Sequence, residues 1–339
     1  MIPPTMVEEI ELKLAIDPSA IESLRTCELL SGVAPQRTRL DAIYFDTPTR
    51  DLRKLGMALR LRREGRRWVQ TLKTGGSSQP NALMARVEWQ APARLVNGQP
   101  RVDFRSLADS PLTAVVGDAA SRRALGPVFR TRFTRTTWMV ARGATSVEVA
   151  LDVGEVLVTH GRKTLRSPIS EVELELKSGS PKRLLDLALE LVGKGANALA
   201  LAPLSLSKAE RGYRLAAGKE AVAAKASAAG FTAVLSEHMS TTAALRAVGR
   251  RALEVVLANA DALRAGGDPE CIHQARVALR RFRSAIRLLD RKHDDFPRGL
   301  NDELRWLAGA LGGARDLDVL TDQTLPPFVA IARAYGGSV

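Results

Sequence analysis

Carboxylates and cations alternate with aliphatic residues along several short stretches of this chain, and in an extended backbone that alternation gathers them on one face. In VEEIELKL, Glu9, Glu11 and Lys13 share one side while Ile10, Leu12 and Leu14 share the other. Arg60 and Arg62 oppose Leu59 and Leu61, Lys73 opposes Leu72, and Arg86 and Glu88 oppose Val87 and Trp89. Further on, Glu148 and Asp152 oppose Val147, Val149 and Leu151, and Glu171, Glu173 and Glu175 oppose Val172, Leu174 and Leu176. One such face suits an ordinary sheet with one side in water. Repeated on nearly every strand it demands compensation, because like charges about 4 Å apart repel by roughly 1 kcal/mol even in water. Carboxylate oxygens without His or Cys suit hard cations such as Mg²⁺ or Mn²⁺, which keep waters and share phosphate oxygens. Arg and Lys opposite them would grip the remaining phosphate charge. A polyphosphate chain bridged by metal uses both sets.

Strands must carry these faces. The segments VEEIELKL, MALRLRRE, RWVQTLKT, ARVEWQA, SVEVALDVGEVLV and SEVELELKS have period two and are separated by Gly, Pro and Asn, which predicts an antiparallel sheet or barrel. Closed into a barrel with helices packed outside, such a sheet turns its apolar face outward and lines its interior with charge. Helices are expected at DPSAIESLRTCELL and SPKRLLDLALELVG, each opened by Ser or Asp beside Pro, so the first domain, residues 1–215, is α+β. AAGKEAVAAKASAAGF then replaces β-branched alternation, giving an Ala-rich linker over 216–230.

From 231 to 339 the period is 3.6. TTAALRAVGRRALEVVLANADALRAG, PECIHQARVALRRFRSAIRLLDRK and LNDELRWLAGALG read as three amphipathic helices of an all-α bundle. In the second of these, His273, Arg276, Arg280, Arg283 and Arg287 recur at spacings of three and four beside an apolar stripe of Ile272, Ala275, Leu279, Phe282, Ile286 and Leu289. A charged stripe is commonly a solvated face, but one with no interleaved acid repels itself, which favours anion binding.

The 339 residues suit about two domains. A net charge of +13, from 50 Lys and Arg against 37 Asp and Glu, points to an anionic partner. Only 4% of residues are aromatic, which counts against base stacking and hence against nucleic acid. Cys27 and Cys271 lie too far apart in sequence for a thiolate metal motif, as expected of a reducing, cytoplasmic compartment. The opening MIPPTMVEEIELKL lacks the apolar core of a secretory signal, and no run of about 20 apolar residues follows, so neither secretion nor membrane spanning is expected. Four His, none of them in the strand motifs, argue against His-based catalysis.

EIELKL resembles the ExExK signature of the CYTH family, the triphosphate tunnel metalloenzymes. The resemblance continues through YFDTP (44–48), LRLR (59–62), TLK (71–73), RVEW (86–89), ALDVGEV (150–156), ISEVELELKSG (169–179) and LSKAERGYRL (206–215). Within the family the chain is most similar to bacterial inorganic triphosphatases that carry a helical domain behind the barrel. The resemblance implies an eight-stranded antiparallel tunnel that binds a triphosphate and cleaves its terminal phosphoryl with Mg²⁺ or Mn²⁺. By motif it implies Glu9, Glu11, Asp152, Glu171 and Glu173 as metal ligands and Arg60, Arg62, Lys73, Arg86, Arg135, Lys208 and Arg211 as phosphate contacts. Lys13 is implied as a further phosphate contact that helps position the attacking water, or as a salt-bridge partner of Glu9 and Glu11. Arg130 and Arg132 compete with Arg135 from the opposite strand parity, Glu175 shares its strand with two sufficient carboxylates, and Gln90 stands where many members carry an acid.

HQARVALRRFRSAIRLL and GARDLDVL resemble the CHAD domain, a helical domain associated with polyphosphate binding. The chain stops at Val339, soon after Arg315, Asp316 and Asp318, so the resemblance covers the N-terminal part of that domain. The expected function is metal-dependent hydrolysis of inorganic triphosphate to pyrophosphate and phosphate, with polyphosphate held by the helical half. The same tunnel residues also fit an adenylate cyclase or a nucleotide or thiamine triphosphatase. From a different class comes a non-catalytic polyphosphate-binding scaffold.

Overall fold

A computed structural model describes residues 5–74, 83–193, 198–219, 225–264, 266, 268–289, 299–320 and 324–334. The chain divides into two compact units, Met1–Ala221 and Val222–Val339. The first is an antiparallel β-sheet with flanking helices; the second is helical.

Strands of the first unit are β1 (Thr5–Ile16), β2 (Gln36–Asp46), β3 (Ala58–Glu64), β4 (Arg67–Thr74), β5 (Leu83–Pro92), β6 (Arg94–Val96), β7 (Gln99–Arg101), β8 (Gly126–Arg142), β9 (Thr145–His160), β10 (Lys163–Ser178) and β11 (Leu201–Pro203). Its helices are α1 (Ile21–Arg25), α2 (Asp51–Lys54), α3 (Thr113–Val116), α4 (Ala119–Ala124), α5 (Pro181–Val192) and α6 (Lys208–Ala216). The large sheet runs β10-β9-β8-β2-β3-β4-β5-β1-β11, and β10 also pairs with β1, Lys13 standing opposite Glu173. A separate hairpin joins β6 to β7 through Asn97 and Gly98, both at positive φ, as a two-residue primed turn requires.

Alternation sorts the sheet into two faces. Leu59, Leu72, Leu151, Val172 and Leu174 are fully buried on the apolar one. Leu59 and Leu72 pack with Leu52 of α2, Leu107, Leu112 and Val116 of α3. α5 forms where SPKRLLDLALELVG predicts it and buries Leu184, Leu187 and Leu191. The other expected helix is shorter than its sequence signal: Asp17 caps a 3₁₀ turn at Pro18–Ala20, and α1 ends at Arg25. There the Thr26 hydroxyl donates back to the Glu22 carbonyl at 2.9 Å, and a helix that bonds its own carbonyl to a side chain stops readily.

The charged face is not charged throughout. Leu40, Tyr44, Phe129, Phe133, Val156, Ile169 and Tyr213 form an apolar cluster on it, with Tyr44 stacked on Phe129 at 4.4 Å. α6 closes over this cluster. Ser207 caps the helix by accepting from Glu210 N–H, and Arg53 of α2 grips Glu210 with two bonds of 3.0 and 2.6 Å. Gly212 makes the approach possible, because a Cβ there would meet the Phe129 ring at 2.2 Å.

The second unit comprises α7 (Thr241–Arg264), α8 (Glu270–Leu289), α9 (Leu300–Val319) and α10 (Leu325–Ala334). Its core joins Val248, Ala252 and Val255 of α7 to Ala278 of α8, with Ala228 and Phe231 from the preceding segment. Of the apolar stripe on α8, Ala275, Leu279 and Ile286 are buried and Ile272 and Phe282 half-buried; the Leu289 side chain lies outside the described residues. The Ala-rich stretch is shorter as a connector than 216–230. α6 runs to Ala216, and Ala226 and Ala228 are already bound to Asn259 and Gln274 of the helical unit at 2.8 and 2.7 Å. Residues 220–224 of it lie outside the described residues. α10, which the pattern did not predict, carries Pro326 and Pro327 in its first turn, where a missing N–H costs nothing. Among the described residues no helix is long and apolar enough to cross a membrane.

The close contact at Gly212 gives a direct test. Gly212→Ala should lower stability by about 1–3 kcal/mol through forced repacking against Phe129. Gly126→Ala, where a Cβ meets nothing within 4 Å, should leave the thermal midpoint nearly unchanged. Equal midpoints for the two variants would refute the packing account.

Candidate active site

Register decides which charges meet. Across β1 and β10, Lys13 stands opposite Glu173 and Ala15 opposite Glu171. Across β10 and β9 Glu171 faces Asp152, and across β9 and β8 Asp152 faces Arg135. Directly paired residues project to the same side of a sheet, so these side chains converge. α6 adds Lys208 and Arg211 from its first turn.

The result is a buried ionic cluster. Lys13 Nζ lies 2.5 Å from Glu173 Oε1 and 3.2 Å from Glu11 Oε1. Lys208 Nζ lies 2.6 Å from Asp152 Oδ2 and 3.0 Å from Glu173 Oε1, and it also donates to Glu171. Arg135 holds Asp152 with two bonds, of 2.8 and 2.7 Å, and reaches Glu173 as well. Arg211 donates to Glu171 and, at 3.0 Å, to the Pro168 carbonyl. Asp152 and Glu171 have no solvent exposure.

A second set lies on β3, β4 and β5. Lys73 Nζ bridges Glu9 at 2.5 Å and Glu88 at 2.9 Å, while Arg60 approaches Glu88 at 3.8 Å. Gln90 donates to Glu88 at 2.5 Å, and Arg62 donates to Glu64 at 2.7 Å. Arg60 Nε is buried with no hydrogen-bond partner among the described residues. Arg86 pairs in register with Glu9, and its side chain lies outside the described residues.

The residues that compete in the sequence have different partners in the structure. Arg130 and Arg132 turn to Asp41, whereas Arg135 joins the carboxylates. Glu175 pairs with Lys177 at 2.5 Å, leaving Glu171 and Glu173 beside Asp152. Among the described residues these three carboxylates form the group fit to hold a metal ion, with oxygens within 4.8 Å of one another. A divalent hard cation fits them: the donors are all oxygen, anionic and buried. Glu9 and Glu11 stand apart from that trio, one on Lys73 and the other on Lys13. Sequence reasoning passed over Tyr44, although YFDTP was in view. Burial would raise its phenol, but Arg60, opposite it on β3, holds it below its usual value.

Electrostatics separates the groups further. Burial and its like-charged neighbours Glu11 and Glu88 push the Glu9 carboxyl up, Lys73 offsetting this only in part. Glu88 is buried too, yet Lys73 and Arg60 hold it at about 2. Burial would likewise raise Glu173, but Lys13, Lys208 and Arg135 keep it well below the usual carboxylate range. Against the cost of burial, Glu11 and Glu173 hold the Lys13 ammonium above its ordinary value. Lys13 therefore stays an ammonium at neutral pH and donates hydrogen bonds to its neighbours.

On α8, Arg276 and Arg283 are half-buried and turn toward α9. A Cβ on Gly312 would meet Arg276 at 3.1 Å, and Arg283 Nε donates to Asn301 at 3.3 Å. His273, Arg280 and Arg287 are exposed. The five thus divide between the side of α8 facing α9 and the surface. The side chains of Arg315, Asp316 and Asp318 lie outside the described residues.

Comparison with known proteins agrees with this architecture. The chain belongs to the CYTH family, whose domain model matches residues 8–213, and a CHAD domain follows at 247–334. It is 34% identical over 219 residues to the inorganic triphosphatase of Haemophilus influenzae, a match covering 62% of this chain and 55% of that protein. The chain thus spans about half the length of that relative. Among solved structures, the putative adenylyl cyclase HpAC1 from Hippeastrum, described as having a dominant triphosphatase activity, aligns at 19% identity and a TM-score of 0.44, covering 62% of this chain and 96% of that one. The PH1819 protein of Pyrococcus horikoshii aligns at 21% identity and a TM-score of 0.34, covering 54% and 88%.

The shifted carboxyls predict an acid profile. Glu9, raised above the ordinary 4.5, should protonate first as pH falls, relieving a cost that its charge imposes on the fold. Glu88, Glu171 and Glu173 are lowered, so their stabilisation is present above pH 4.5 and is lost on descent through their folded values, near 2 for Glu88. Melting midpoints should hold from neutrality to pH 4.5 and then fall. Side-chain carboxyl NMR should show Glu9 titrating above Glu88; the reverse order would refute the assignment.

Proposed function

We propose that the chain hydrolyses inorganic triphosphate to pyrophosphate and phosphate with Mg²⁺ or Mn²⁺, inside an eight-stranded antiparallel tunnel that the pairing of β1 with β10 would close. The observation that carries this reading is the buried trio of Asp152, Glu171 and Glu173 set among Lys13, Arg135, Lys208 and Arg211. A cation on the carboxylates and a polyanion on the guanidinium and ammonium groups would use every charge present. The name carried by the Haemophilus influenzae relative supports the same substrate.

Bound on the trio, with Glu9 and Glu11 at its margin, a divalent ion would supply charge neutralisation and acidify a nucleophilic water. The chain's own residues do the rest. Arg60, Arg62, Lys73, Arg86 and Arg135 bind the phosphate chain, and Arg211 with Lys208 caps it from α6. Lys13 donates hydrogen bonds that orient water. Removing bulk water from this face strengthens each of these contacts, and phosphoryl transfer needs chiefly such positioning and charge stabilisation. The cytoplasm suits both the substrate and the unpaired Cys27 and Cys271.

Phosphate release from triphosphate, ATP and thiamine triphosphate, measured side by side, tests the reading. Triphosphate should be the best substrate. Preference for ATP with cyclic AMP and pyrophosphate as products would make the chain a cyclase, and no turnover at all would leave a binding scaffold. Glu171→Gln and Glu173→Gln should each lower metal-dependent turnover roughly hundredfold or more with the circular dichroism spectrum unchanged. Unaltered turnover at saturating metal would overturn the ligand assignment.

We further propose that the helical unit binds polyphosphate through α8, Arg276 and Arg283 from the side facing α9, His273, Arg280 and Arg287 from the surface. Long-chain polyphosphate affinity should fall steeply with salt, since each neutralised phosphate releases counterions. Changing the exposed pair, Arg280→Gln with Arg287→Gln, should flatten the logarithmic slope by roughly one and a half to two units. An unchanged slope would make this stripe a solvated face.

A further inference from the structure

We propose that the Lys208 ammonium occupies the divalent-cation position of the carboxylate trio in the metal-free protein and is exchanged for the ion, moving to the phosphate chain when both bind. This inference rests on the metal placement proposed above. Lys208 Nζ contacts all three carboxylates, Asp152 at 2.6 Å, Glu173 at 3.0 Å and Glu171 more closely still. The same three side chains are those whose oxygens converge for a metal. An ammonium and a divalent ion cannot share one set of oxygens at these distances, because two cations would then lie closer to one another than their own repulsion allows.

Position on the helix makes the exchange feasible. Lys208 is the first residue of α6, just after its Ser207 cap, and it reaches the trio through a flexible four-carbon stem. Its departure leaves the Arg53–Glu210 grip and the packing of Gly212 and Tyr213 to anchor the helix, so α6 itself need not move. The displaced ammonium requires a new anionic partner in a buried place, and the substrate phosphates are such a partner. Metal and triphosphate should therefore strengthen one another's binding by a common factor.

Calorimetry on the full chain, with Mg²⁺ or Mn²⁺ and no substrate, tests the exchange. Lys208→Met should bind the metal about tenfold more tightly than the native protein, and adding tripolyphosphate should increase that affinity far less than it does natively. Glu171→Gln is measured alongside. If Glu171→Gln keeps native metal affinity, the trio is not the metal site and the placement itself fails. If Glu171→Gln loses metal while Lys208→Met binds it natively or worse, the placement stands and the exchange is wrong. Should Lys208→Met fail to fold, the native protein still decides the matter. With ¹⁵N-labelled lysine, the Lys208 ammonium resonance should leave its metal-free position on Mg²⁺ saturation, and an unmoved resonance overturns the proposal.

Discussion

Charge buried without a partner is intolerable, and the first unit is arranged around that constraint. Asp152 and Glu171 are removed from water completely, and Glu11, Lys13, Glu88, Glu173, Lys208 and Arg211 nearly so. Each loses hydration worth several kcal/mol, which only close opposite charge and hydrogen bonds restore. The strand register supplies these: Lys13 opposite Glu173, Glu171 opposite Asp152, Asp152 opposite Arg135. A one-residue slip in any of these pairings would send the whole charged set to the apolar side, so the ionic cluster and the register specify each other. α6 completes the balance from outside the sheet, which is why a glycine at 212 and the Arg53–Glu210 grip matter to a site they do not enter.

A site that already neutralises itself has a particular relation to ligands. Every carboxylate able to take a metal is engaged by Lys or Arg, and most of the cations able to take phosphate are engaged by Asp or Glu. A lone cation or a lone polyanion entering such a cluster strips one set of groups of its partners and gives the other set too many. The two entering together exchange partners with the cluster and leave its balance nearly unchanged. Electrostatics alone thus favours a metal–polyphosphate complex over either component, and the strands hold the receiving groups in place before it arrives.

Much of this was legible in the sequence, for a physical reason. Period-two alternation encodes the face of each residue directly, so Glu9, Lys13, Arg60, Lys73, Asp152 and Glu171 could be placed on one surface without a structure. Alternation says nothing about which strand lies beside which. That Arg135 meets Asp152 while Arg130 and Arg132 meet Asp41, and that Glu9 meets Lys73, depends on neighbours distant in sequence. Tyr44 escaped notice because a tyrosine between apolar residues looks like packing until Arg60 is found across from it. The short helix α6 escaped for another reason: its period is too brief to register, and only Ser207, capping Glu210 N–H, marks its start.

The two units present their cationic groups in contrasting ways, and under the proposed reading the contrast would bear on selectivity. In the first, Arg135, Lys208 and Arg211 are each fixed by two or more hydrogen bonds, so a ligand must match their spacing or forfeit contacts. Such a site would distinguish the proposed short phosphate chain by shape. On α8 the exposed His273, Arg280 and Arg287 stand on a single helix face with long side chains in water, where each loses rotamer freedom on contact and gains only a screened attraction. Such a surface distinguishes by charge density and by length, since many weak contacts accumulate only along an extended polyanion. Burial is what separates the two behaviours: the same residue types are committed to defined partners where water is excluded, and general attractors of anions where it is not.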